Sequence, residues 1–117
     1  MGGVWRIVAV TAILVGALAM SGRAAAQSSI SSAAYVLPGC RSFVAGKAMQ
    51  DVSTQRICVE QVEASLLAGD RICPPRVLTT DQFVRMVTRY IERRPRRKGE
   101  PFASLTKEAL RTTFPCR

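Results

Sequence analysis

Apolar residues fall at helical spacing in four stretches of this chain, and nowhere do they alternate with the period of two that marks a half-buried strand. The clearest stretch is 79–94, TTDQFVRMVTRYIERR, where Phe83, Met86, Val87, Tyr90 and Ile91 stand at i, i+3, i+4, i+7 and i+8. Thr79 and Gln82 have the spacing of a capping box: the Thr oxygen accepts an orphan amide and the Gln side chain reaches back. Arg94 precedes Pro95, which disfavours α geometry in the residue before it, so the helix is predicted to stop there.

The other three helices are less regular. Tyr35, Val36, Leu37, Cys40, Phe43 and Val44 suit a helix capped by Ser31 or Ser32, but Pro38 and Gly39 interrupt it. Proline removes one intrahelical hydrogen bond and clashes a turn back. That predicts either a kinked helix or a turn followed by a helix from Pro38, ended by Gly46 and Lys47. A second helix is predicted from Asp51 or Ser53 to Ala68, with Gly69 as the left-handed residue after it. Its stripe is Cys58, Val62, Ser65 and Leu66, supplemented by Val59. Pro74 and Pro75 make 70–75 an extended connector. The last helix opens at Glu100 and Pro101, since proline is tolerated at a first helical position. It buries Phe102, Leu105, Ala109 and Leu110, and 114–116 close the chain as an extended tail. The expected fold is all-α, a small four-helix domain over residues 33–117.

The N-terminus follows a different rule. Arg6 precedes an unbroken apolar run over 7–20, and Ala24 and Ala26 then have the spacing of a cleavage site. This is the layout of a secretory signal peptide over 1–26, too short for a bilayer span of about 20 residues. Retention as an N-terminal anchor is the competing reading, and 27–32 is expected to be a disordered polar leader. Without Arg6 and Arg23, the 17 Lys+Arg become 15 against 8 Asp+Glu, a net charge of +7.

Export changes how the cysteines are read. All four (Cys40, Cys58, Cys73 and Cys116) lie beyond the leader, in a domain small enough to need staples. There is no His and no C-x-x-C, which argues against a metal site and leaves two disulfides. Cys58 lies 11 residues below Gly69, about 16 Å of helix rise. The four residues from Gly69 to Cys73 return at most about 14 Å, which argues against that pair. In an antiparallel helix pair, Cys40 and Cys58 stand level on either side of the first loop. Cys73 just precedes the third helix and Cys116 just follows the fourth. The expected pairs are Cys40–Cys58 and Cys73–Cys116.

Catalytic chemistry finds little to work with. Without His, a Ser or Cys nucleophile lacks its usual base. Glu60 and Glu63 are a helical turn apart, but on the outer face of a surface helix they read as solvated. Ser53 reads as a cap and Ser65 as a small packing residue. No catalytic residue, metal or cofactor is expected. Charge is the remaining signal: Arg85, Arg89 and Arg93 recur every four residues and continue into Arg94, Arg96, Arg97 and Lys98. Arg85, Arg89, Arg93, Arg96 and Arg97 are the candidate partner contact, with Asp81 pairing Arg85 at i+4. Export and the absence of interleaved aromatics argue against nucleic acid.

The order of these features resembles the Rap/Tai immunity proteins. It is carried by Leu37 and Cys40, Cys58, Cys73 and Pro75, Thr79 and Gln82, then Val87, Tyr90 and Ile91 before Pro95. Ala109, Leu110, Phe114, Pro115 and Cys116 complete it. The resemblance implies a periplasmic, disulfide-linked helical protein, often a homodimer. Such a protein binds and blocks a peptidoglycan-cleaving amidase delivered by type VI secretion, with no chemistry of its own. Glu60 and Ala64 stand where relatives carry glycine, and Gly99 where many carry His. The rival expectation is a periplasmic structural or stress-type protein whose basic face meets envelope surfaces.

Overall fold

Four α-helices and one turn of 3-10 helix follow one another among the described residues, and no strand lies among them. They are α1 Ala33–Val44, α2 Val52–Ala68, α3 Thr80–Glu92, the 3-10 turn Pro95–Arg97 and α4 Phe102–Thr113. The structure is a computed structural model and describes residues 30–68 and 71–117. The expected signal segment, residues 27–29 and the Gly69 cap lie outside the described residues.

α1 begins where Ser32 caps it, its hydroxyl accepting from the Tyr35 amide at 3.3 Å. Two amides left over in the first turn find partners across the chain: Ala33 and Ala34 donate to the Glu100 and Lys98 carbonyls, each at 2.9 Å. Ser32 is buried and bridges to Pro101. The packed domain therefore reaches into the stretch expected as a disordered leader. Pro38 does not break α1, which runs through it, so a helix starting at Pro38 is ruled out. Pro38 and Ala34 a turn back are both exposed. The carbonyl that loses its amide partner thus lies on the water side, where it is cheapest.

Gly39 explains why the next residue can be a half-cystine. A Cβ placed on it would fall onto the Thr54 carbonyl group and the Gln55 amide, so the backbones of α1 and α2 touch there. One residue on, Cys40 and Cys58 are linked, fully buried, with Cα atoms 5.5 Å apart. The α1–α2 pairing is accordingly the most extensive among the described helices. Their connection is tied down as well. Asp51, at φ 49°, accepts from Ser42 Oγ at 2.9 Å and its carbonyl accepts from the Gln55 amide at 2.8 Å. α2 starts at Val52, which places Ser53 inside its first turn rather than at the cap.

α3 has both halves of its capping box, with Thr79 Oγ1 accepting from the Gln82 amide and Gln82 Oε1 from the Thr79 amide. Its buried face is Phe83, Val84, Val87, Thr88 and Ile91, rotated from the expected stripe. Met86 and Tyr90 are only half-buried. Thr88 can enter the core because its hydroxyl donates to the Val84 carbonyl at 2.7 Å. α4 buries Phe102, Leu105, Ala109 and Leu110 as expected, together with Thr106. The tail then returns along the connector before α3. The Cys73 amide donates to the Phe114 carbonyl, Ile72 bridges Pro115, and Cys73 is joined to Cys116. The Phe114 ring meets Phe83 edge-on at 5.6 Å.

Because any side chain at position 39 collides with backbone, Gly39→Ala has no rotamer that relieves it. We expect a loss of about 2–3 kcal/mol, seen calorimetrically as a Tm lower by about 10 °C or more for a domain of this size. An unchanged Tm would mean that the two helices can separate without loss.

Candidate functional site

α3 and its C-cap carry Arg85, Arg89 and Arg93 on one exposed edge, since residues four apart return to nearly the same face. Their surroundings separate them. Arg85 Nε donates to Asp81 Oδ2 at 2.7 Å and Nη2 to the Val44 carbonyl at 3.2 Å, which anchors it to the end of α1. Arg89 and Arg93 have no ion-pair partner among the described residues, and neither does exposed Arg96 on the 3-10 turn.

Arg97 belongs to a different structure. It forks between Glu100 and Glu108, with contacts of 2.7 and 3.0 Å to the first and 2.6 and 3.0 Å to the second. The Tyr90 hydroxyl donates to the same Glu108 carboxylate at 2.6 Å. One guanidinium thus ties the 3-10 turn to α4, and a tyrosine ties α4 back to α3. Of the five arginines expected as a contact face, Arg85 and Arg97 are engaged by acidic neighbours while Arg89, Arg93 and Arg96 are not.

Two grooves flank the edge. The one between α1 and α3, of about 340 Å³, is lined by Arg41, Arg85, Arg89 and one carboxylate, Glu92, which meets Arg41 at 2.6 Å. The one between α3 and α4, of about 530 Å³, has no carboxylate in its lining: Arg89, which borders both grooves, joins Arg93 and Arg94 there with Met86, Tyr90 and the Thr112 and Thr113 side of α4. Arg94 was not among the expected contacts. Its guanidinium lies 3.6 Å from the Tyr90 ring centroid and Nη1 donates to the Tyr90 carbonyl at 2.8 Å. The i, i+4 spacing of Tyr90 and Arg94 is the signal by which the sequence could have shown that stacking.

The other polar groups weighed for chemistry lie apart from these grooves. Glu60 and Glu63 are exposed on α2, and the Ser65 hydroxyl is committed to the Gln61 carbonyl at 2.8 Å. Both disulfides leave no free cysteine, and no cluster of three metal-ligating side chains occurs among the described residues. No described helix is long and apolar enough to cross a membrane.

The carboxylates of the Arg97 fork carry a pH signature. Hydrogen bonds from Arg97 hold Glu100 below the usual carboxylate range; Glu108 is held down by Arg97 first and by the Tyr90 hydroxyl second. Groups depressed in the folded state stabilise it fully above their unfolded value, about 4.3 for Glu, and that stabilisation disappears as pH falls through the folded value. Glu108→Gln removes the charge beforehand. Its Tm should lie slightly below the unmodified protein's at neutral pH and fall less steeply between about pH 4.5 and 3. Parallel Tm-against-pH curves for the two proteins would show that Glu108 is not a contributor.

Among the curated proteins and among the solved structures, nothing matches the chain. A family model does, that of the Rap1a immunity proteins, over residues 22–116. The matched span holds both disulfides, the capping box of α3 and the α3–α4 groove. The chain belongs to the Rap1a immunity protein family.

Proposed function

We propose that the protein is an exported, non-enzymatic immunity protein of the periplasm. It binds a secreted peptidoglycan-cleaving amidase of the type VI secretion kind and protects by covering the enzyme's cleft. The observation that carries this reading is the family match over 22–116. Membership of an immunity family points to action against a secreted effector, and the remaining details are consistent with such a role. Both disulfides fit an oxidising compartment, as does the apolar leader followed by Ala24 and Ala26. Occlusion needs a surface that holds its shape, and here one disulfide joins α1 to α2 and the other joins the connector before α3 to the tail after α4.

A homodimer is part of the proposal. Glu60 and Ala64 are exposed on α2. A contact there would have to leave the Glu60 carboxylate at its rim, because burying it unpaired is costly.

The test is a pull-down of the disulfide-intact protein with the secreted hydrolases of the producing strain, read by mass spectrometry and light scattering. The expected result is a one-to-one or two-to-two complex with a small Cys-His amidase, whose cell-wall digestion stops on binding. No complex, together with no growth defect when the gene is deleted beside toxin-bearing kin, would sink the reading.

A further inference from the structure

We infer that the α3–α4 groove is the docking site for an acidic polypeptide segment, with Arg89 and Arg93 supplying the carboxylate contacts. The groove is lined by three guanidiniums and no carboxylate, although the protein pairs arginines with acids close by: Arg41 with Glu92, Arg85 with Asp81, and Arg97 with Glu100 and Glu108. Glu108, which the Tyr90 hydroxyl contacts, is engaged by Arg97 and by that hydroxyl. Three like charges facing one hollow repel each other, and an incoming carboxylate relieves that repulsion.

The groove is also partly preorganised. Arg94 is fixed by stacking on Tyr90 and by its bond to the Tyr90 carbonyl, which sets a positive wall without the loss of freedom that a mobile side chain would suffer. Arg89 in the last turn of α3 and Arg93 at its C-cap stand one turn apart and can each receive a carboxylate through two parallel N–H donors. Met86 and the Tyr90 ring give the floor apolar area for the stem of a Glu or for backbone.

Shape separates a polypeptide from a lipid surface. A hollow of about 530 Å³ between two helices admits a few side chains of an extended segment. A bilayer presents a plane and rewards exposed apolar residues beside the basic ones. The large exposed apolar side chains (Met49, Leu67 and Val77 foremost) lie on α1, α2 and the segments outside the helices, and none lies on α3 or α4. The site therefore fits an acidic stretch on the surface of a protein partner. That the partner is a secreted effector rests on the proposed function; the groove's chemistry does not.

Binding of a fluorescein-labelled oligo-glutamate peptide to the disulfide-intact protein, followed by anisotropy at low and high salt, tests this. Arg89→Gln with Arg93→Gln should weaken binding by about tenfold or more. Arg56→Gln with Arg76→Gln removes the same charge from exposed positions outside the groove and should change it by less than about threefold. Equal losses from both pairs would overturn the proposal, since the attraction would then belong to net charge alone. If Arg89→Gln with Arg93→Gln abolishes binding to phosphatidylglycerol vesicles but leaves peptide binding intact, the proposal is also overturned, in favour of a lipid surface. An unchanged Tm for each double variant keeps folding out of the comparison. If an amidase is captured and R89Q/R93Q captures it equally well, the groove fails and the immunity reading stands. If no amidase is captured but the peptide binds in the groove, the reverse holds.

Discussion

The contact of backbone with backbone at Gly39 is the constraint on which the other arrangements depend. Two helices whose Cα atoms lie about 2.3 Å from their axes can bring Cys40 and Cys58 to 5.5 Å only when the axes approach within about 10 Å. A side chain at 39 would prevent it. The close approach then fixes the level of α1 relative to α2, which brings Ser42 to Asp51 and Gln55 to the Lys47 and Gln50 carbonyls. It also fixes where α1 begins, and the start of α1 is held by the Lys98 and Glu100 carbonyls, immediately before α4. A departure at one residue of α1 would pass to three of the four helices.

The second staple acts at the opposite end of the same problem. A domain with fewer than a hundred packed residues buries too little apolar surface to hold itself by much. Loops of 18 and 43 residues closed by the two disulfides stabilise by about 3 and about 4 kcal/mol on chain-entropy grounds, a large share of the total. Cys73–Cys116 is exposed, unlike Cys40–Cys58, so its contribution is positional as well. It holds the tail where Pro115 bridges Ile72 and Phe114 meets Phe83. One staple closes α1 on α2; the other closes the entry of α3 on the exit of α4.

Features set by neighbours in sequence were the legible ones. The capping box needs only Thr79 and Gln82, three residues apart, and it formed as the spacing predicts. The cysteine pairing followed from helix rise and loop reach, both of which count residues. Features set across the fold were not legible. Pro38 alone could not say whether its orphaned carbonyl would face water, which is what allows α1 to continue. The buried side of α3 turned toward Val84 and Thr88 because a threonine hydroxyl bonds within its own helix and behaves as apolar surface. Met86 and Tyr90 were displaced from the core to a groove. The helix itself formed where the spacing predicts, and only its rotation about its axis differs.

The arginine face shows the same division more sharply. Periodicity treats Arg85, Arg89 and Arg93 as equivalent, and composition treats Arg96 and Arg97 as one basic run. Only the tertiary neighbours sort them. Arg85 is spent on Asp81 and the end of α1, and Arg97 on two carboxylates that connect the 3-10 turn to α4. Arg89 and Arg93 are left facing a hollow with a third guanidinium fixed beside them. Stability gives no reason for that concentration of charge, because it repels itself and an alternative distribution would serve solubility as well. A partner of opposite charge does give one, since uncompensated charge raises the rate of encounter and selects orientation before contact. For a protein whose family acts by binding, the unpaired arginines are therefore the more informative ones, and the paired arginines describe how the fold holds them in place.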